Sequence, residues 1–262
     1  MKHTRFTLAT LLFAALVANV WADDIPSPDP NVAEFARGVK FTVAGYNGGA
    51  EVQTNFPVLV RLSTAITGFD YGDFYNANVN PYDPDALKLI DIGFVDAQTN
   101  GLPYEIDTWN TNGESLVWVN LPRMTNGTEF AMWYRSSKTG KALNPDNVWT
   151  NYAGVWHFRE DYGAETRSVS VYDSTTNGLT GSTIYTAGQT GGQQPATVAA
   201  AACNGKLGRV RRMGNVNHNS NKGKGGIDVL LGQTGSAKRK AVDGLVANFS
   251  GSFWIYGEVI YR

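Results

Sequence analysis

The chain of 262 residues is long enough for two ordinary domains or one large β domain. Its charge is nearly balanced, with 22 Lys and Arg against 23 Asp and Glu, so no field of one sign is available to recruit nucleic acid or an anionic membrane. The 29 glycines and the 12% aromatic content are typical of many short strands joined by tight turns. These bulk properties predict an all-β protein that does not bind nucleic acid.

The first 22 residues have the pattern of a secretory signal peptide. Basic residues at 2 and 5 precede an apolar run over residues 6–17, and Ala22 ends a stretch with small residues at the usual cleavage spacing. The apolar run is shorter than the roughly 18 residues needed to span a bilayer. We therefore expect cleavage after Ala22, no membrane span afterwards, and an extracytoplasmic location: secreted, periplasmic or on the cell surface. A proline-punctuated linker over residues 23–37 follows.

Alternating apolar and polar residues predict the strands of a first unit. The predicted strands cover residues 39–43, 56–62, 87–95 and 129–134, and two β-rich runs separated by a short Asn/Gly cluster predict a hairpin over residues 102–119. On the second strand, alternation places Phe56, Val58, Val60 and Leu62 on one face. We expect that face to lie in a hydrophobic core.

The hairpin also carries the sharpest functional question. Glu105 and Asp107 are two residues apart and share one face of a strand. Jelly-roll glycoside hydrolases use a Glu-x-Asp-x-Glu pattern of this kind, in which a nucleophile and an acid/base stand about 5 Å apart. The position of the second Glu is occupied by Trp109. We therefore expect no enzymatic activity and interpret the two acids as facing solvent, with a hydrolase using Glu105 and Asp107 as the alternative.

Several segments of the first unit occur in a distinctive order. They are residues 55–62, 102–109, 115–122, 126–128 and 132–134. Together they resemble DUF2341, a bacterial domain family of unknown function. The resemblance places a β-sandwich module at residues 38–140 and implies a β-rich extracytoplasmic protein, with no catalytic residues to carry over. Modules of this kind also occur at the N-termini of ExbB/TolQ-like proton-channel proteins, so an extracytoplasmic part of such a system is another alternative.

A second unit begins near residue 150. Residues 155–158, 173–181, 205–210, 226–229 and 249–256 together resemble the first half of a concanavalin-A-like, laminin-G-type jelly roll. That resemblance implies carbohydrate or protein binding at loops, sometimes with calcium. Residues 150–262 offer fewer strands than such a sandwich needs. We therefore expect a partial jelly roll, completed by a longer gene product or by another chain.

Ligand contacts are predicted from aromatic and acidic residues. Trp109 at the hairpin end and Trp149 after a Pro-Asp-Asn turn are expected to be exposed, where an indole can stack on a sugar. Glu105 and Asp107 complete the candidate ligand-binding set. No cofactor is expected. Calcium is the alternative, because the loop at 68–85 is rich in Asp and Asn and oxygen ligands suit calcium; its candidate ligands are Asp73, Asp83 and Asp85.

These observations favour an exported, non-catalytic, two-module β-sandwich protein. Its expected partner is a polysaccharide or a cell-surface protein.

Overall fold

The computed structural model describes residues 35–46, 51–81, 83–136, 147–158, 170–183, 196–198, 210–212 and 227–229. The predicted signal peptide at 1–22 and nearly all of the linker at 23–37 lie outside these residues. So does most of the predicted jelly roll at 150–262. The predicted domain boundaries therefore stay predictions.

Two antiparallel sheets pack face to face in the first part of the chain. Their strands are β1 (Phe35–Thr42), β2 (Gln53–Leu62), β3 (Ile92–Asp96), β4 (Gly101–Leu102), β5 (Tyr104–Thr108), β6 (Ser115–Met124) and β7 (Glu129–Ser136). The first sheet has the order β1-β7-β3-β4 and the second the order β2-β6-β5. The predicted hairpin is confirmed as β5 and β6, which pair antiparallel.

The core forms where the inner faces of the two sheets meet. In the second sheet, alternate residues of β2 and β6 belong to the inner core cluster, including Val60, Leu62 and Val119. Phe94 and Met132 of the first sheet join the same cluster. Because side chains alternate between the two faces of a strand, a period of two in the sequence is enough to build this interface. The prediction of an all-β sandwich is confirmed.

A buried hydrogen bond also joins the two sheets. Tyr104 of β5 donates its hydroxyl to the carbonyl of Ile92 on β3 at 2.8 Å, and the Tyr104 side chain is almost completely buried. A buried hydroxyl usually needs a partner of this kind.

The predicted strand over residues 87–95 is wrong in its first half. Residues Pro84–Leu87 form a short helix, α1, and β3 begins only at Ile92. The Asp83 carboxylate accepts hydrogen bonds from the backbone N–H groups of Asp85 and Ala86, and proline is well suited to the first helical position. Local capping therefore starts a helical turn in the segment that resembled the beginning of a strand.

Beyond residue 158 the described segments form short ladders. β8 (Ser170–Val171), β9 (Gly181–Thr183) and β12 (Ile227–Val229) make a three-stranded sheet, and β10 (Ala196–Val198) pairs with β11 (Val210–Arg212). Within the described parts of the chain, no helix has the length and apolarity to cross a membrane.

Candidate functional site

The two acids of the hairpin lie on the outer face of the second sheet. Tyr104 and Ile106 belong to the core between the sheets, so alternation directs Glu105 and Asp107 to the opposite face. Glu105 is the direct cross-strand partner of Trp118 on β6. A register shift between Ile106 and Thr108 marks a bulge at Asp107. The prediction that the two acids share one face of a strand holds.

A later segment covers this outer face. We call residues 147–158 the strap. Val148 and Trp149 of the strap are buried with Trp118 in a separate apolar cluster, against which Leu59 of β2 packs. The side-chain amide of Asn120 on β6 donates to the carbonyl of Val148 at 2.7 Å. The first sheet therefore covers the inner face of the second sheet, and the strap covers the part of its outer face around Trp118.

Glu105 is bound by two donors from later in the chain. Its Oε2 accepts a hydrogen bond from the indole N–H of Trp149, and its Oε1 accepts the hydroxyl of Ser174 at 2.8 Å. Asp107 is bound from the neighbouring strand, where Trp118 Nε1 lies 3.4 Å from its Oδ2. Each carboxylate thus receives an indole N–H.

His157 of the strap lies between the two carboxylates. Its Nε2 is 3.4 Å from Glu105 Oε2 and its Nδ1 is 3.6 Å from Asp107 Oδ2. The side chains of His157, Glu105 and Asp107 are only 9%, 14% and 5% exposed. The Trp149 ring centroid lies 5.5 Å from the imidazole centroid, within the range of a cation–π contact when the imidazole is charged. A protonated His157 therefore forms two ion pairs in a nearly dry environment.

A second loop positions Ser174 and braces the strap. We call residues 172–180 the Asp173 loop. The Asp173 carboxylate accepts hydrogen bonds from the backbone of Val155, Thr175 and Leu179 and from the Thr175 hydroxyl, at 2.7–3.0 Å. The Asn177 amide donates to the carbonyls of Tyr152 and Ala153 in the strap. Saturating one carboxylate with backbone donors fixes the loop, as in an Asx turn.

The contacts of the acid pair can be compared with two catalytic arrangements, the nucleophilic triad and the carboxyl pair of a glycosidase. In a nucleophilic triad the serine hydroxyl bonds to the histidine, whereas Ser174 donates to Glu105. A glycosidase needs its two carboxyl groups on either side of the scissile bond, whereas Glu105 and Asp107 both contact the same imidazole. In this structure Glu105 and Asp107 contact His157 and so join the strap to the sheet.

Three of the four predicted ligand-binding residues come together in this cluster: Glu105, Asp107 and Trp149. Their predicted exposure is wrong. The acids were expected to face solvent and Trp149 to be exposed, but the strap buries all three against the sheet. The physical reason is that Trp149 of the covering segment lies 44 residues after Glu105 in the chain, so the local pattern of the hairpin does not reveal it.

Trp109 lies elsewhere, and its predicted exposure is also wrong. It is 4% exposed in the main core, with Tyr71 and Phe74 packed edge-on against its ring. Its indole N–H donates to the carbonyl of Ala77 at 2.9 Å. The loop before β3 folds over the hairpin end and buries this side chain.

Two of the three calcium candidates, Asp73 and Asp83, have other partners. Asp73 lies 3.4 Å from a guanidinium nitrogen of each of Arg37 and Arg135, and two positive neighbours disfavour a bound cation. Asp83 caps α1 through Asp85 N–H. Among the described side chains, no group of three or more His, Cys, Asp or Glu residues is placed to hold a metal ion.

Some residues of the cluster had little signal in the sequence. His157 stands between Trp156 and Phe158, which indicates a structural histidine but names no partner. No local sequence pattern predicts the contacts of Ser174 and Asn120. Both are recognised only because the fold brings residues about 30 to 70 positions apart into contact.

Two exposed tyrosines lie on the strap and on the Asp173 loop. Tyr152 of the strap is 38% exposed and Tyr172 of the Asp173 loop is 57% exposed. The ring of Tyr152 packs edge-on against Trp149 with centroids 5.2 Å apart. The strap therefore presents tyrosine outside while it buries tryptophan inside.

Together the fold and this site define an all-β sandwich protein whose second sheet carries an acidic and aromatic cluster under a strap. Residues 88–175, about a third of the chain, match a family model described as "Domain of unknown function (DUF2341)". The matched range contains the hairpin, the strap and Ser174. It therefore includes the residues around the acid pair: Glu105, Asp107, Trp118, Trp149, His157 and Ser174. No curated protein and no solved structure matches the chain.

Proposed function

We propose that this protein is an exported, non-catalytic β-sandwich module that binds a polysaccharide through the strap and the Asp173 loop. The observation that supports this most directly is the pair of exposed tyrosines, Tyr152 and Tyr172, on two loops that are hydrogen-bonded to each other. Tyrosine presents a flat apolar ring for a pyranose face and a hydroxyl for its polar edge.

The backbone beneath the tyrosines is well ordered by contacts, which favours a binding surface. The carbonyl of Tyr152 accepts the Asn177 amide, and Ser174 N–H donates to the carbonyl of Val155 at 2.8 Å. A surface that is ordered before binding loses less conformational entropy when a ligand arrives. The same surface could contact a cell-surface protein, and that partner is one outcome of the test below.

Export is part of the proposal because of the leader pattern at residues 1–22. The resemblance of residues 150–262 to a laminin-G-type jelly roll supports a carbohydrate or protein ligand, since loops of that family bind such partners. The absence of catalysis is proposed because Glu105 and Asp107 are held by indole, hydroxyl and imidazole groups.

The test is binding of the full chain to a panel of polysaccharides, followed by measurement of Kd. We expect Tyr152→Ala and Tyr172→Ala each to weaken binding about tenfold, equivalent to about 1.4 kcal/mol. Tyr75→Ala is the matched control, because Tyr75 is 58% exposed but lies in the loop before β3. Binding that survives both substitutions, or that is lost equally with Tyr75→Ala, would contradict the proposed surface. Binding to a surface protein alone would replace the polysaccharide as ligand.

The hydrolase alternative is tested in the same preparation. Release of reducing sugar that disappears in Glu105→Gln would overturn the non-catalytic proposal. Trp149→Phe is the control, since it removes a contact to Glu105 but leaves both carboxyl groups in place. Loss of activity in both variants would indicate a disturbed strap, and loss in Glu105→Gln alone would indicate chemistry.

A further inference from the structure

The contact between the strap and the second sheet contains a histidine, the side chain whose ordinary charge change lies nearest neutral pH. His157 of the strap lies 3.4 Å from Glu105 and 3.6 Å from Asp107. All three side chains are mostly buried. Two carboxylates removed from water are costly unless a positive charge or sufficient donors compensate them. Histidine titrates between about pH 5 and pH 8 in ordinary surroundings.

The other contacts of the strap do not change charge in that range. The Asn120 amide bonds to a backbone carbonyl, and Trp118 and Trp149 meet edge to face. Asn177 bonds to backbone carbonyls of the strap. These contacts stabilise the docked strap at every pH in this range. The charge of His157 adds a contribution that depends on pH.

The charged and titratable groups around His157 come from each element packed on it. Strand β5 contributes Glu105 and Asp107, while β6 contributes the neutral indole of Trp118. The strap itself carries Tyr152, and the Asp173 loop carries Asp173, whose carboxylate accepts four hydrogen bonds within its own loop and from the strap. The negative charges in direct contact with the imidazole are therefore those of Glu105 and Asp107.

We propose that the protonated His157 imidazole is a clamp that joins the strap to the Glu105 and Asp107 pair, so that docking of the strap depends on pH. With the imidazolium in place, both carboxylates have a positive partner and the strap is closed. When the pH rises and the proton leaves, a neutral ring can donate to only one of them. The strap then loosens while the sandwich beneath it remains folded.

On the acid side the clamp weakens for a different reason. Once Glu105 and Asp107 take up protons, the two ion pairs are lost. Docking is therefore strongest at a pH where the imidazole is protonated and the carboxyl groups are ionised. This clamp operates whether or not the tyrosine surface binds a polysaccharide, and its test requires no ligand.

The experiment is hydrogen exchange with mass spectrometry on the full chain from pH 5.5 to pH 8.5, with rates corrected for the intrinsic effect of pH. We expect protection of residues 147–158 to fall about tenfold or more across this range, while peptides from β7 keep their protection. Unchanged protection of the strap across this range would overturn the clamp.

Two variants and one control test whether the pH dependence of strap protection arises from His157. His157→Gln should abolish the pH dependence, whereas His218→Gln, the matched control outside the described residues, should retain it. Asp107→Asn should reduce the dependence, since one carboxylate then remains beside the imidazole. A pH dependence that persists in His157→Gln would overturn the proposal.

A direct titration covers the case in which His157→Gln fails to dock its strap at any pH. NMR of the imidazole carbons in the unmodified protein, assigned by comparison with His3→Gln and His218→Gln, gives the pH at which His157 loses its proton. We expect this midpoint to coincide with the loss of strap protection. A strap that loosens at a pH where His157 does not titrate would disprove the clamp.

Discussion

Trp118 of β6 and Trp149 of the strap pack edge to face, with ring centroids 5.2 Å apart and an interplanar angle of 62°. The indole N–H of Trp118 approaches Asp107 and that of Trp149 donates to Glu105. Each half of the aromatic pair is thus bound to one half of the acid pair. Apolar packing and buried hydrogen bonding therefore fix the same contact between strap and sheet.

The two parts of the Trp149 contact can be separated by substitution. Trp149→Phe keeps an aromatic ring against Trp118 but removes the donor to Glu105. We expect it to weaken docking by about 1–3 kcal/mol, the cost of leaving a buried acceptor without that bond. Trp149→Ala also removes the buried ring and should cost about 3–5 kcal/mol, or release the strap altogether. Hydrogen exchange of residues 147–158 measures both effects. Equal effects of the two variants would show that ring packing contributes little.

Gly154 is expected to be essential for the shape of the strap. A Cβ at this position would lie 2.4 Å from the indole of Trp156, whose N–H donates to the carbonyl of Leu179 at 2.8 Å. Gly154→Ala should therefore displace that ring and loosen the strap from the Asp173 loop, since overpacking typically costs about 1–3 kcal/mol. Limited proteolysis should then cut the strap earlier.

Gly113→Ala is the matched control for that substitution. Its Cβ would also meet a side chain closely, at 2.6 Å from Asn110 Nδ2, but Asn110 is exposed in the hairpin turn and can rotate away. We expect wild-type resistance to proteolysis. If Gly113→Ala were as harmful as Gly154→Ala, the effect would arise from loss of backbone freedom rather than from the Trp156 ring.

The hydrogen bond between the two sheets should make a measurable contribution to the free energy of unfolding. Tyr104→Phe keeps the buried ring but removes the donor to the Ile92 carbonyl. We expect a loss of about 1–2 kcal/mol in the free energy of unfolding, measured by urea denaturation. Tyr75→Phe, at a residue that is 58% exposed, should be neutral within about 0.5 kcal/mol. A neutral Tyr104→Phe would mean that this bond adds nothing to the packing of the ring.

Alkaline pH should destabilise the sandwich through Tyr134. Burial, together with the charge of Asp73, raises the pKa of Tyr134 from 10.0 to about 12. The unfolded chain therefore loses this proton at lower pH than the folded chain does. Stability from this group is fully present below pH 10 and is lost as the pH rises from about 10 to about 12.

Removing the Tyr134 hydroxyl tests that link. In Tyr134→Phe the loss of unfolding free energy between pH 10 and pH 12 should be smaller by up to about 1.4 kcal/mol per pH unit. Some loss should remain, because burial also raises the pKa of Tyr71. Urea denaturation at a series of pH values measures the slope. An unchanged slope in Tyr134→Phe would show that another group controls the alkaline transition.

Much of the sandwich was predictable because strand formation depends on a local period. Val58, Val60 and Leu62 share one face of β2, with Leu59 and Arg61 on the other, and they are buried as that periodicity indicates. The strand expected at residues 87–95 failed in its first half: the helix that Asp83 caps ends on Leu87, and β3 begins only at Ile92. Signals of both kinds are local, and the stronger one decided.

What the sequence by itself determined is the face on which Glu105 and Asp107 lie, because residues two apart in a regular strand share a face, and the bulge at Asp107 leaves both acids in contact with His157. Whether that face meets water was decided by tertiary structure. Residues 147–158 return over the hairpin and bring Trp149 and His157 to the two acids. Burial at a site depends on which distant segment covers it, and that is a property of the whole chain's packing rather than of any local period. Local sequence thus determines where the acid pair lies on the strand, and the tertiary structure determines that this pair is buried and binds the strap.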